Sequence, residues 1–379
     1  MFKKFLSINV LNSLLGVVTG IILARNLEPE LRGAVGQIIL LTTYSLSVSS
    51  SSMRDMLLSQ KQNSIFINKY NLIISLILFF LIPLFVIYIY DFNEFILFVY
   101  SFGLVTYYNS VKLALLQIKG EFVKLSLIKL IVPIAYSFQL LLFHSYLNVT
   151  NVLVILVISN LLCAIFLYTY KIKIDYDTQY DKNKIKSYIS VVFSMVVIVI
   201  SSQLDKFILP IHISKSEFAF YMIATTLIAT PLSVVGDSVS NYIVIKVKEK
   251  VNPVTLMYWV AVFVLSSASI VIVMYGLSDF VIPLLFGENY IKARDYIFVC
   301  GLISLTNNCR LLITAILRGV GDNVKILYLN LSLLIFVISG LFILISFEMT
   351  ILNALACIFS LVFILIIFLS FFEIKRCFK

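Results

Sequence analysis

The sequence predicts an all-α polytopic membrane protein with twelve transmembrane helices in two pseudo-symmetric six-helix bundles around a central cavity. Three observations carry this expectation. The 379 residues are 61% hydrophobic and only 13% charged, with 31 Phe, 21 Tyr and a mean hydropathy of +1.05, a composition foreign to water-soluble domains. The apolar residues fall into runs of about 20, the length a helix needs to cross a bilayer. Short sequence echoes recur six runs apart.

Taken in order, span 1 (5–24) follows the basic start Lys3-Lys4. It is too long for a cleaved leader and carries Asn9 and Asn12, so it is read as an uncleaved spanning helix. Spans 2 (33–52), 3 (72–90), 4 (94–116), 5 (125–147) and 6 (150–170) complete a first half, residues 1–170. The polar stretch 171–187, KIKIDYDTQYDKNKIKS, is the longest cytoplasmic connection and is assigned as the linker. Spans 7 (188–211), 8 (217–245), 9 (254–276), 10 (291–317), 11 (326–347) and 12 (350–372) make the second half, residues 188–379, which ends in a short cytoplasmic tail. Residues 279–286, DFVIPLLF, are too few to cross and are expected to form an external half-turn or short helix.

Charge sets the orientation. With the N-terminus inside, the inner segments hold twenty Lys and Arg and the outer segments five, while Lys112, Lys129, Lys206 and Arg310 lie within spans. This bias predicts both termini on the cytoplasmic side. It also accounts for the net charge of +10 without nucleic acid, because the basic residues sit singly at the ends of apolar runs. The five cysteines (Cys163, Cys300, Cys309, Cys357 and Cys377) have no metal-ligand spacing, so neither disulfides nor a metal site is expected.

Residues 114–125, ALLQIKGEFVKL, echo residues 315–326, AILRGVGDNVKI, and each segment closes the fourth span of its half. A weaker echo joins ILARNLEPELRGAV (22–35) to ILPIHISKSEFAFY (208–221). Six spans per repeat preserve orientation, so the repeat is parallel and suggests alternating access between two bundles.

Polar residues stripe several spans. Span 7 carries Ser190, Ser194, Ser201 and Asp205 on one face, with Ser202 and Lys206 beside it. Span 8 carries Thr226, Thr230, Ser233, Asp237 and Ser240, and span 10 carries Ser304, Asn307, Arg310, Thr314 and Arg318. In span 1 the set is Asn9, Asn12, Ser13, Gly16, Thr19 and Gly20; in span 2 it is Thr42, Ser45, Ser49 and Ser52. Such faces either pack against other helices or line water, and Gly16-x-x-x-Gly20 fits close helix contact alone. Ionisable groups are different, since a charge at the bilayer centre costs roughly 2.5–3.5 kcal/mol on insertion scales. Arg310 lies about two turns, roughly 12 Å, from Arg318, too deep to snorkel easily. Lys129 is one turn into its span and is expected to snorkel. Asp205 and Lys206 are adjacent in sequence, and neighbours at i and i+1 do not face each other on a helix. A salt bridge is therefore not expected; each is assigned its own polar environment, and Pro210 is taken as the softened end of the helix.

Four elements, ILARNLEPELRGAVGQ, QLDKFILPIHISKSEFAFYMIA, LLFGENYIKARDYI and ILRGVGDNVKILYLN, occur in this order along nearly the whole chain. Together they resemble the polysaccharide-transporter branch of the MOP (multidrug/oligosaccharidyl-lipid/polysaccharide) exporter superfamily, especially O-antigen and capsule repeat-unit flippases. The glycine usual before the span 8 tyrosine is replaced here by Ala219-Phe220, and the loops are shorter. The resemblance implies translocation of an undecaprenyl-pyrophosphate-linked oligosaccharide across the bacterial plasma membrane, alongside membrane lipids and polysaccharide polymerase machinery. It implies that Arg310, Lys206, Arg25 and Lys112 face the anionic headgroup. Asn307, Ser201, Thr230 and Asn12 are then polar cavity lining, and Asp205 and Asp237 are candidates for coupling to H+ or Na+. No other cofactor is expected, and no Walker A stretch is present for ATP. The competing readings are a cation-coupled drug antiporter on the same fold and, in a different class, a membrane oligosaccharide polymerase. The antiporter needs a carboxylate-centred site. The polymerase needs a sizeable external catalytic loop, and the predicted outer connections are all short.

Overall fold

The computed structural model describes residues 2–58, 66–119, 121–170, 175–177, 182–248, 252–320 and 323–377. They form twelve α-helices: α1 (Phe2–Asn26), α2 (Pro29–Leu58), α3 (Lys69–Tyr90), α4 (Ile96–Ile118), α5 (Phe122–Leu142), α6 (Val149–Tyr168), α7 (Lys182–His212), α8 (Lys215–Lys248), α9 (Pro253–Phe286), α10 (Arg294–Val320), α11 (Asn323–Ser346) and α12 (Ile351–Cys377). Eight of the helices among the described residues are long and apolar enough to cross a membrane. The fold is the expected all-helical one. Two three-residue strands were not foreseen: β1 (Phe66–Asn68) pairs in parallel with β2 (Asp175–Asp177), so part of the assigned linker is held by the α2–α3 connection.

Helix ends follow local chemistry. Ser214 and Glu217 form a reciprocal capping box at the start of α8: the Glu217 carboxylate accepts from the Ser214 N–H at 2.9 Å, and the Ser214 hydroxyl from the Glu217 N–H at 3.2 Å. Asn148 caps α6 through the Asn151 N–H at 2.8 Å, and Asn252 caps α9 with Pro253 in its first turn. The stretch 279–286 is not separate. It continues α9, because Pro283 lies only three residues before the end and the run is stopped by Gly287 at φ 101°, a conformation glycine adopts at little cost.

The chain forms two compact units, residues 1–27 with 34–199, and residues 28–33 with 200–379. In the first, α1 packs on α5, and α4 packs on α5 and α6. Leu46, Phe79, Phe102, Leu140 and Val152 belong to its buried apolar core. Hydroxyls and amides join the helices where a membrane supplies little hydrophobic drive between them. Thr19 and Ser137 meet at 2.7 Å between α1 and α5, Ser75 and Tyr107 at 2.8 Å between α3 and α4, and Asn109 donates to the Asn160 carbonyl at 3.0 Å between α4 and α6. The α2 stripe is fully buried, and Ser45, Ser49 and Ser52 bond back to their own helix, which makes it a packing face. Gly16 departs from the close-contact reading: a Cβ there would meet nothing within 4 Å, because α5 opposes it across a gap at Pro133.

In the second unit α10 is central, packed against α8, α9, α11 and α12. Thr306 donates to the Phe359 carbonyl on α12 and Asn308 to the Leu232 carbonyl on α8, both at 3.2 Å. Gly236 on α8 permits that approach, since a Cβ there would lie 2.5 Å from Asn308 Oδ1. α10 contacts α11 and α12 as α4 contacts α5 and α6, the correspondence expected of the echo at their C-terminal ends.

Candidate functional site

The second unit gathers five of the residues singled out from the sequence around a break in α7. Gln203 departs from helical geometry at φ −128°, ψ 19°. The break lies seven residues before Pro210, inside a helix that runs on to His212, so Pro210 does not mark the softened point. The broken turn is served from α10: Asn307 Nδ2 donates to the Ser202 carbonyl at 3.2 Å, an inserted side chain of the sort that kinks helices.

One turn further along α10, Arg310 is only 8% exposed, and its Nη1 donates to Ser201 Oγ at 2.7 Å. No carboxylate pairs with it among the described residues. A buried guanidinium has five N–H donors and a full charge to satisfy, and a single neutral hydroxyl leaves most of that capacity unused.

On the other side of the break, Lys206 Nζ donates to Gln203 Oε1 and lies 3.7 Å from Asp205 Oδ2. The adjacent pair therefore does form an ion pair, a loose one, against expectation. A lysine is long enough to curl back along its own helix, and the interruption two residues earlier removes the regular turn on which the opposing argument rests. Asp205 is 1% exposed; its Oδ2 also accepts from the Tyr221 hydroxyl of α8, while its Oδ1 is buried without a hydrogen-bond partner. Beside it, Thr225 and Cys300 meet at 3.4 Å, and Cys300 faces the Tyr221 carbonyl. The cluster offers a guanidinium, an ammonium, a carboxylate and two amides over about two helical turns, which suits an oxyanion better than any nucleophilic chemistry.

The other candidates are elsewhere. Thr230 is half-buried on α8, and its carbonyl accepts from Ser233 at 2.9 Å. The Asp237 side chain lies outside the described residues. Arg25, Lys112 and Asn12 belong to the first unit: Arg25 is exposed near the end of α1, Lys112 sits 5.7 Å from the Tyr108 ring, and Asn12 lines a cavity between α1 and α5.

Sequence reasoning missed Arg32, which was counted only as an external charge. Residues 28–33 belong to the second unit, where Arg32 is 6% exposed with Phe286 and Tyr290 rings at 5.9 and 5.6 Å. The adjacent Gly33 lies so close to α8 that a Cβ would fall 1.7 Å from the Lys215 carbonyl oxygen. The signal was available, since these residues lie in three of the four quoted elements, but nothing in one dimension says that they meet.

The fold has known counterparts. The lipid II flippase MurJ in an inward closed conformation aligns with a TM-score of 0.71 at 15% identity, covering 99% of this chain and 88% of that one. An inward-facing multidrug resistance MATE family transporter of the MOP superfamily aligns at 0.69 and 14%, covering 99% and 98%. A MOP superfamily transporter from Pyrococcus furiosus aligns at 0.61 and 13%, covering 99% and 96%. No family model matches the sequence, and no curated protein matches it. At these identities the likeness is one of fold.

Proposed function

We propose that this chain translocates an anionic, lipid-linked oligosaccharide across the bacterial plasma membrane by alternating access, with both termini cytoplasmic. The observation that carries the reading is Arg310, a buried cation in the middle of α10 whose hydrogen-bond partner among the described residues, Ser201, is neutral. Such a charge is retained against a cost of several kcal/mol only where it has work to do, and a pyrophosphate matches its planar fork of donors. Lys206, across the α7 break, supplies a second positive charge. A sugar chain is costly to desolvate while its polyprenyl tail is at home in lipid, so a polar path for the head alone solves the transport problem. The polysaccharide-transporter character of the four sequence elements supports this substrate class, and the fold shared with a lipid II flippase is compatible with it.

Asp205 is the best-placed carboxylate for coupling to H+ or Na+, because its Oδ1 is buried and unpartnered. The same carboxylate is the feature a drug antiporter would use, but Lys206 and Tyr221 already engage its other oxygen. The test is accumulation of lipid-linked intermediates. Arg310→Ala should insert normally, abolish surface glycan and leave lipid-linked repeat units on the inner leaflet; normal glycan display by that variant would remove Arg310 from the mechanism.

A further inference from the structure

A cavity of about 420 Å³ lies within the first unit, between α1 and α5, lined by Asn12, Gly16 and Thr19 on one helix and by Lys129, Val132, Pro133 and Tyr136 on the other. None of these residues belongs to the Arg310 cluster. Thr19 and Ser137 join the two helices beside the cavity. Two features create the space. Gly16 leaves its side of the seam empty, with nothing within 4 Å of a Cβ, and Pro133 interrupts the backbone ladder of α5 opposite it.

The surroundings are apolar, and the notch sets Asn12, Thr19, Lys129 and Tyr136 among apolar groups. Leu14 and Val18 on α1 are 56% and 42% exposed, and Ile134 and Phe138 on α5 are 50% and 61% exposed, surfaces that a membrane covers with acyl chains. Lys129 follows the first residue of α5 by seven positions, about 10 Å along the helix. It is an exposed lysine, and it is one of the residues that line the cavity. A free anion has no apolar part to cover these flanks. An amphiphile has both parts, and its charge must be negative to suit an ammonium, with amide, hydroxyl and phenol groups beside it.

We infer that the α1–α5 cavity is a binding site for the phosphate group of an anionic membrane lipid, held against Lys129 with its chain along the exposed apolar side chains of α1 and α5. The site uses none of the Arg310 cluster, and it gives Asn12, which the resemblance places in the transport cavity lining, a different role.

The test uses the full chain in detergent, titrated with dioleoyl phosphatidate, with dioleoylglycerol as the same lipid lacking phosphate, and with inorganic phosphate, and read by native mass spectrometry. Phosphatidate should bind in preference to dioleoylglycerol. Lys129→Gln should weaken phosphatidate about tenfold, the size expected on losing one charge-assisted hydrogen bond, and Lys129→Arg should restore it. Gly16→Leu, which fills the cavity, should weaken both lipids, and the Lys129→Gln loss should persist in an Arg310→Ala background. Unchanged phosphatidate affinity in Lys129→Gln, equal binding of the two lipids, or a Lys129→Gln loss that vanishes in the Arg310→Ala background would each overturn the inference. Displacement of phosphatidate by an equal concentration of inorganic phosphate would overturn the lipid as the ligand.

Discussion

Replacing Arg310 by leucine should leave the protein at least as stable as it was while removing its transport activity. Arg310 is ten residues from the end of α10, roughly 15 Å along the helix, and 8% exposed. Holding a charged side chain at such depth costs about 2.5–3.5 kcal/mol on insertion scales. Its bond to Ser201, the one made among the described residues, returns about 1.5–3 kcal/mol, the range for hydrogen bonds to charged groups. The balance favours an apolar residue by about 1 kcal/mol, before any gain from leucine packing in the space the arginine stem occupies. The measurement is equilibrium unfolding of purified full chain in a fixed detergent, paired with assay of lipid-linked intermediates in cells. Ser201→Ala supplies the internal control: it should destabilise the native protein by about 1.5–3 kcal/mol and have almost no effect beside Arg310→Leu, giving a coupling energy of the same size. Two results would refute the reasoning. One is an Arg310→Leu protein destabilised by more than about 1 kcal/mol, which would mean that the guanidinium is well compensated. The other is a Ser201→Ala cost that is equal in both backgrounds.

Further expectations concern neighbouring features. Gly33→Ala should destabilise the chain by about 1–3 kcal/mol through overpacking, because a Cβ would sit 1.7 Å from the Lys215 carbonyl oxygen; unchanged thermal unfolding would show that α2 and α8 separate freely there. Tyr221→Phe removes the hydroxyl that donates to Asp205, costing about 1–3 kcal/mol for a buried acceptor left short of a donor. Making Asp205→Asn in that background should recover part of the loss, and additive losses would argue against the contact. For topology, single cysteines at Ser145, Ser214 and Glu348 should react with a membrane-impermeant maleimide on intact cells, and one at Lys119 only after permeabilisation; the reverse pattern would overturn the cytoplasmic termini.

Periodicity and composition were enough to identify twelve helices, because in a bilayer every backbone polar group must be satisfied within the segment, and apolar length alone then marks a span. Some helix ends are set by short-range chemistry, as at Ser214–Glu217 and Asn252-Pro253. One was misread at 279–286, where length suggested a separate piece although nothing before Gly287 stops α9. The site was legible by residue type: Arg310, Lys206, Asp205, Asn307 and Ser201 all stood out as costly polar groups in apolar runs.

What those residues do to one another was decided by tertiary structure. The α7 break at Gln203 is met by Asn307 from a helix a hundred residues away, and the Asp205–Lys206 ion pair lies beside that break. Arg32 between Phe286 and Tyr290, Gly33 against Lys215, and the opening at Gly16 rather than a tight crossing likewise need two helices to be placed. By itself the sequence determined which segments are helices and which polar groups must be explained, because desolvation cost is a property of each residue. Only the tertiary structure decided which of those groups are paired and which stay available, because pairing is a matter of distance.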